Sequence, residues 1–439
     1  MREGNVFGAN GWAAKFFPRV REDLFLLLDD GWESGGTATF QLDAAKFPSF
    51  KGSIEERLQK LNEATKEFGW RGAALWCRNT PDREVGLGLE RMSQLAGVHY
   101  WKIDLGDRGF NLMQQRNREG ISLTLEHVHG EGPVNGDWAT DGRFGAQPWS
   151  SRRMNILRNT DVYRSYDVTS ALSVPTTLDR ASELLRGAAG HDEARSLLNL
   201  EDEVYLAAVL GCTMGVMRHP LIGLRPGDDV DLFFNGPRRA KKRMDEVVRA
   251  VRWQRIAPPF ATGSGFVRAD NAALIDSWVF SKGQTWDSSL IGSLVHQGAP
   301  SRLARNIELP SVSLSKEMPF VFAAKFPNGA VAVGAHERTE PDKAWYMPEC
   351  DVTLHVGDAP GPFGVFGELR ELTLTFDRSI TGRRIVAQDL AGDEAIDITS
   401  LVEMRRTTLR IDGGLLRHIG LRDATPGDLS SPGAVLAIQ

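Results

Sequence analysis

Eight short apolar runs, separated by helical patterns, fill roughly the first 260 residues, and they limit the fold more than any other feature. The run Leu24–Leu28 holds five apolar residues without a polar one. Such a run, bounded by turn residues, reads as a strand covered on both faces. The others are "NVFGANGW", "RGAALWCRN", "GVHYWKIDLGD", "GISLTLEHVHG", "TDVYRSYDVTS", "ARSLLNLEDEV" and the second half of "LAAVLGCTMGVMRHPLIGL". Between the second and third runs, Ser53 and Glu56 form a capping box, Ile54, Leu58, Leu61 and Phe68 recur at helical spacing, and Gly69 can end the helix. A late helix, "RAKKRMDEVVRAVRWQRI", sets Met244, Val247, Val248 and Val251 on one side. Strands alternating with helices predict an α/β fold, a (β/α)8 TIM barrel over residues 1–262. An open doubly wound sheet competes, but it would carry a Gly-rich phosphate loop after an early strand. After about Pro259 the runs become β-rich and are punctuated by Gly, Pro and Asp, with Asn328-Gly329 as a hairpin turn. That predicts a C-terminal antiparallel β-sandwich over residues 263–439.

The chain has 439 residues and a net charge of −5, which gives no reason to expect nucleic acid or an anionic membrane as partner. Three cysteines, Cys77, Cys212 and Cys350, have neither metal spacing nor the density of a disulfide scaffold. No apolar stretch is long enough to span a membrane, and the amino terminus lacks a signal-peptide core. A cytoplasmic protein is expected, or a secreted one if a leader has been removed. A homo-oligomer is compatible with these features.

Charged and aromatic groups collect at the ends of the expected strands. Asp29 and Asp30 follow the second run, Trp76 lies in the third, and Lys102 and Asp104 close the fourth. Glu126 and His127 close the fifth, and Arg164 and Asp167 the sixth. In parallel α/β folds ligands bind at that carboxyl end. Acids around an aromatic platform suit a polyol, because carboxylates accept from vicinal hydroxyls and an indole covers a sugar's apolar face. A turn or N-cap pair is the plainer reading of Asp29-Asp30. Two carboxylates on different strands, Asp104 and Asp167, could serve a retaining glycosidase, whose pair stands roughly 5–5.5 Å apart. Lys102, two residues before Asp104, would share its face of the strand and keep it ionised, unless the two form a structural pair.

The order "FLLLDDGWE", "LDAAKFPSF", "WRGAALW", K-x-D and R…D over residues 24–167 resembles clan D glycoside hydrolases, the α-galactosidases and α-N-acetylgalactosaminidases of families 27 and 36. The resemblance implies a retaining exo-α-glycosidase acting on an oligosaccharide or glycoside, without cofactor or metal. It implies that Asp29 and Asp30 bind the C4 and C6 hydroxyls, Trp76 walls the pocket and Lys102 binds the C3–C4 edge. Asp104 would be the nucleophile, Arg164 would bind near the C2 hydroxyl, and Asp167 would be the acid/base. Arg164 and Asp167 are three apart where the family commonly has four, so Asp161 is the rival acid. The loop "LEHVHGEGP", which in the family reads the C2 substituent, departs from its pattern and leaves the sugar open. Glu126 and His127 are assigned to hydroxyl binding rather than, with His129 and Glu131, to a metal. A transglycosylase of the same architecture and a non-catalytic sugar-binding barrel are the alternatives.

Outside this constellation, Asp202-Glu203 reads as a helix-start pair, Arg238–Lys242 as a solvated helix start, and Arg218-His219-Pro220 as a possible border of the pocket.

Overall fold

The computed structural model describes residues 1–36, 38–78, 83–104, 124–128, 154, 157–164, 173–201, 203–216, 243–275, 298–338 and 346–439. Six parallel strands form one sheet in sequence order: β1 (Phe25–Leu28), β2 (Gly72–Arg78), β3 (Tyr100–Asp104), β4 (Thr124–Val128), β5 (Val162–Arg164) and β6 (Leu197–Asn199). Helices α3 (Ile54–Glu67), α4 (Arg83–Leu95) and α5 (Ser173–Ala188) lie in three of the connections. The capping box opens α3 as expected, Ser53 accepting from the Glu56 amide and Glu56 from the Ser53 amide. The α3 side chain of Asn62 then ties helix to sheet. It accepts from the Ala73 amide at 2.9 Å and donates to the Gly97 carbonyl at 2.9 Å.

The expected (β/α)8 TIM barrel is not what the chain forms. Strands dominate the described residues, with eight α-helices among them, and among these residues the parallel sheet does not close: the one strand beside β1 is β2 and the one strand beside β6 is β5. Among the described residues, two of the eight runs do not supply a strand of this sheet. "NVFGANGW" is not a strand but supplies α1 (Glu3–Phe7) and the start of α2 (Trp12–Lys15). The second half of "LAAVLGCTMGVMRHPLIGL", read as the eighth strand, lies from residue 217 outside the described residues, and its first half contributes to α6 (Val204–Val209), every residue of it buried. Beyond it, Thr213 makes one parallel bridge with Asn199 beside β6.

The remaining helices are α7 (Met244–Ile256) and α8 (Gly413–Gly420). In α7, Val247, Val248 and Val251 are buried, as their spacing requires.

The carboxyl-terminal half carries the other strands: β7 (Val267–Ala269), β8 (Ala273–Ile275), β9 (Gly298–Pro300), β10 (Arg302–Arg305), β11 (Ser311–Leu314), β12 (Phe320–Lys325), β13 (Val331–His336), β14 (Cys350–Gly357), β15 (Phe363–Phe366), β16 (Glu371–Phe376), β17 (Ile385–Asp389), β18 (Ala395–Asp397), β19 (Glu403–Arg405), β20 (Thr408–Asp412) and β21 (Gly433–Ile438). They form an eight-stranded sheet, a five-stranded sheet and the β8–β9 pair. The antiparallel expectation is corrected here, because β10–β12, β13–β15 and β14–β16 pair in parallel. The β12–β13 hairpin does turn at Asn328-Gly329, with Gly329 at φ +88°.

Alternate residues of β12 join two different cores. Val321 and Ala323 pack with the five-stranded sheet's Leu354, Leu372 and Leu409. Phe322 and Ala324 join the core that holds α6 and Trp253 of α7. The larger sheet is therefore covered on both faces, and β12 as far as Ala324 and β13 as far as Ala335 carry no polar side chain for that reason. Gly364 makes room for the helix layer, since a Cβ there would stand 3.0 Å from the Trp253 ring.

Candidate functional site

The parallel register sets the expected residues at the carboxyl ends of neighbouring strands. Trp76 stands beside Lys102 and Lys102 beside Glu126, Arg78 is level with Asp104, and Val128 with Arg164. Lys102 is fully buried, and its ammonium donates to both oxygens of Asp29, at 3.1 and 2.9 Å. Lys102, expected to serve Asp104, thus meets the first of the paired aspartates. Asp29 also accepts from the Asp30 amide at 2.9 Å, while the Asp30 side chain is exposed. The doublet divides into one carboxylate held by the sheet and one facing solvent.

Trp76 is 1 % exposed and packs in the core, its carbonyl accepting from the buried Trp32 indole at 2.9 Å. Arg164 is buried and donates to Glu201 at 2.5 Å. Glu201 was not among the expected residues. It follows Asn199 by two, so strand alternation continued past β6 would have pointed to it. For Asp104, Glu126 and His127 the backbone position in the sheet is described. Asp167, His129, Glu131, Asp202, Arg218-His219-Pro220 and Arg238–Lys242 lie outside the described residues. Asp161 sits in the bend before β5, its carbonyl accepting from the Leu197 amide at 2.8 Å.

A cavity of about 460 Å³ runs along this sheet, from Phe25, Trp70 and Tyr100 at the amino ends of its strands to Asp29, Arg164 and Glu201 at the carboxyl ends. Asp29, Arg164, Asn199 and Glu201 line it with polar groups, and Phe16, Phe17, Trp70 and Tyr100 with aromatic ones. Residues from β1 and from β6 both line it, so the open sheet curves around it. Its size falls in the range of small-molecule pockets. Nearby Glu33 is pushed above the usual carboxylate range by burial, with the Asp30 charge adding to the shift and the amides of Phe40 and Ala38 opposing it. Cys77 is buried and its thiol is pushed up by desolvation, which disfavours a thiolate nucleophile.

A second charged cluster was not foreseen. Glu203 precedes α6 but makes no capping bond with its side chain. Instead it meets His336 Nε2 at 3.0 Å, while Glu337 engages Nδ1 of the same ring. Arg243 joins Glu337 at 3.0 Å and also contacts Glu246. Glu203, the Arg243–Glu246 pair and the His336–Glu337 pair are remote from one another in sequence, and no local pattern could have joined the three.

The division of Asp29 from Asp30 has a measurable consequence. Asp29→Ala removes the carboxylate that faces a buried ammonium and should destabilise the fold by about 1–3 kcal/mol, discounted because Asp29 is partly exposed. Asp30→Ala should change stability by less than about 0.5 kcal/mol. Urea unfolding of the two variants tests this, and equal losses would return the doublet to a simple turn.

Among the described residues, no cluster of His, Cys, Asp and Glu could hold a metal ion, and no helix is long and apolar enough to cross a membrane. Comparison with models of known families, with curated proteins and with solved structures finds no match.

Proposed function

We propose that this chain is a retaining exo-α-glycosidase, most like an α-galactosidase, with Asp104 as nucleophile and Asp167 as acid/base. The observation that carries the reading is the Asp29–Lys102 pair at the carboxyl edge of a parallel sheet, with Asp29 lining the cavity. A carboxylate accepts from sugar hydroxyls, and Lys102, fully buried behind the lining, holds the Asp29 carboxylate in place to do so. Asp104 ends the strand that holds Lys102, and Arg164 ends β5. The aromatic residues of the cavity supply surface for the apolar face of a sugar ring.

In this mechanism Asp104 attacks the anomeric carbon while Asp167 protonates the departing oxygen. Water then attacks the glycosyl-enzyme, Asp167 takes its proton, and the α configuration is restored. A transglycosylase differs only in admitting a sugar hydroxyl in place of that water.

The test is a panel of aryl α-glycosides: galactoside, N-acetylgalactosaminide, arabinopyranoside and glucoside. Turnover of the galactoside with retention is expected. Asp167→Ala should slow natural α-linked substrates far more than aryl substrates with acidic phenols, and azide should give the α-glycosyl azide. An Asp167→Ala enzyme that slows both classes alike and forms no azide adduct moves the role to Asp161. Absence of turnover across the panel by the folded wild-type protein sinks the hydrolase reading. Excess sugar acceptor separates hydrolysis from transfer by the products formed.

A further inference from the structure

The cavity along the parallel sheet has a second end, at the amino ends of the strands, and the glycoside reading gives its charged group, Arg71, no part. Phe16, Phe17, Phe25, Trp70 and Tyr100 line that end. Phe25 and Tyr100 are half-buried and keep accessible surface, their rings 5.2 Å apart, and Phe17 meets Trp70 edge-on at 6.5 Å. Phe17 sits at φ +47°, a left-handed conformation that a bulky residue rarely adopts. Backbone strain of this kind gathers at ligand sites. Water suits this end poorly, because a held water needs several polar partners and phenylalanine rings offer none.

The charges at this end do not balance. Arg71 is exposed and lines the cavity, its guanidinium over the Phe25 ring, 4.9 Å from the centroid. Asp23 lines the same end, but Arg255 Nε donates to its two oxygens at 3.2 and 3.1 Å. Arg255 Nη2 also donates to the neighbouring Glu22 at 2.7 Å. Arg21 turns away, to the carbonyls of Phe16, Phe68 and Ala14. Three arginines thus stand against two acids, and among the described residues no carboxylate pairs with Arg71. The cation at the opposite end, Arg164, is already paired with Glu201.

We infer that the amino end of the cavity binds an aromatic carboxylate, its ring among Phe17, Phe25 and Trp70 and its carboxylate on Arg71. A guanidinium takes a carboxylate through two parallel N–H bonds, and aromatic rings pair offset or edge-on. The site stands apart from Asp29 and Asp104 and does not rest on the glycosidase reading.

Titration calorimetry of the full chain with 2-naphthoate tests the inference, with neutral 2-naphthylmethanol as the control. One saturable site is expected for naphthoate, and the alcohol should bind about tenfold more weakly or worse, for want of the charge-assisted bond. Arg71→Gln should weaken naphthoate by about tenfold and leave the alcohol unchanged. This variant should fold, because the Arg71 amide keeps its bonds to the Arg21 and Leu24 carbonyls. Leu26→Trp, which enlarges a half-buried lining residue, should weaken both ligands. Where Leu26→Trp does not fold, Arg71→Gln decides. Absence of saturable naphthoate binding, alcohol binding as tight as naphthoate, undiminished naphthoate binding in Arg71→Gln or in folded Leu26→Trp, or equal losses of acid and alcohol in Arg71→Gln would overturn it. Binding is read without turnover, so any of these results leaves the glycoside reading to its own test.

Discussion

Asp104→Asn should lower turnover of an activated aryl α-galactoside by on the order of 10⁴-fold or more and leave sugar binding nearly unchanged. The expectation rests on place and chemistry. Asp104 is the last residue of β3, level with Arg78 of β2 and two residues beyond Lys102. The carboxyl edge of a parallel sheet is where such folds keep their reacting groups. An amide keeps the carboxylate's size and shape but cannot attack the anomeric carbon. Binding should survive because the proposed reading gives it to other residues, Asp29 at the cavity wall first among them. The measurement is kcat/KM with the aryl substrate beside calorimetry with the free sugar. Near-normal turnover in the variant would remove Asp104 as nucleophile. Loss of binding together with turnover would make it a binding residue.

What the sequence made legible was local. Leu24–Leu28 announced β1 because an unbroken apolar run between turn residues reads as a strand, although only Leu28 is buried while Phe25, Leu26 and Leu27 are half-buried and line the cavity. Ser53 and Glu56 announced α3 because a capping box is a fixed spacing of two residue types. Asn328-Gly329 announced its hairpin because the turn needs a residue tolerant of positive φ. The misses were tertiary. "NVFGANGW" reads as a first strand but folds into α1 and the start of α2, and counting runs supplied a barrel that the sheet does not make among the described residues. The parallel pairings of the carboxyl-terminal sheets join strands separated by long connections, which local alternation cannot register. At the site, the neighbours of Asp29 and Lys102 were found from strand ends alone, but their pairing with each other was not. Lys102 stood two residues from one acid and 73 from the other, and the sheet joined it to the distant one. Glu201 and His336 were missed for the same reason, since each takes its meaning from a partner on another element.

The attachment of α7 to the larger β-sheet should depend on one buried pair, Arg249 and Asp389, and Asp389→Ala should destabilise the protein by about 3–5 kcal/mol. Both side chains are 0 % exposed. The guanidinium makes a two-pronged contact, Nε to Oδ1 at 2.8 Å and Nη2 to Oδ2 at 3.1 Å. The same carboxylate accepts from the amides of Ala391 at 2.7 Å and Asp423 at 2.9 Å. Its removal therefore strands a buried cation and two backbone donors together, and the cost of a broken buried pair comes mainly from groups left behind. Arg249 keeps a weaker contact, to the Ser431 carbonyl at 3.4 Å, which cannot replace a carboxylate. Replacing both partners with apolar residues, Arg249→Met with Asp389→Leu, should recover part of the loss, because no charge then stays buried. Urea unfolding of the two single variants and the double variant supplies the cycle. A loss below about 1 kcal/mol for Asp389→Ala would mean that water or a rearranged loop satisfies Arg249. A double variant no more stable than the worse single one would place the cost in the Ala391 and Asp423 amides, and the turn they define, rather than in the charge.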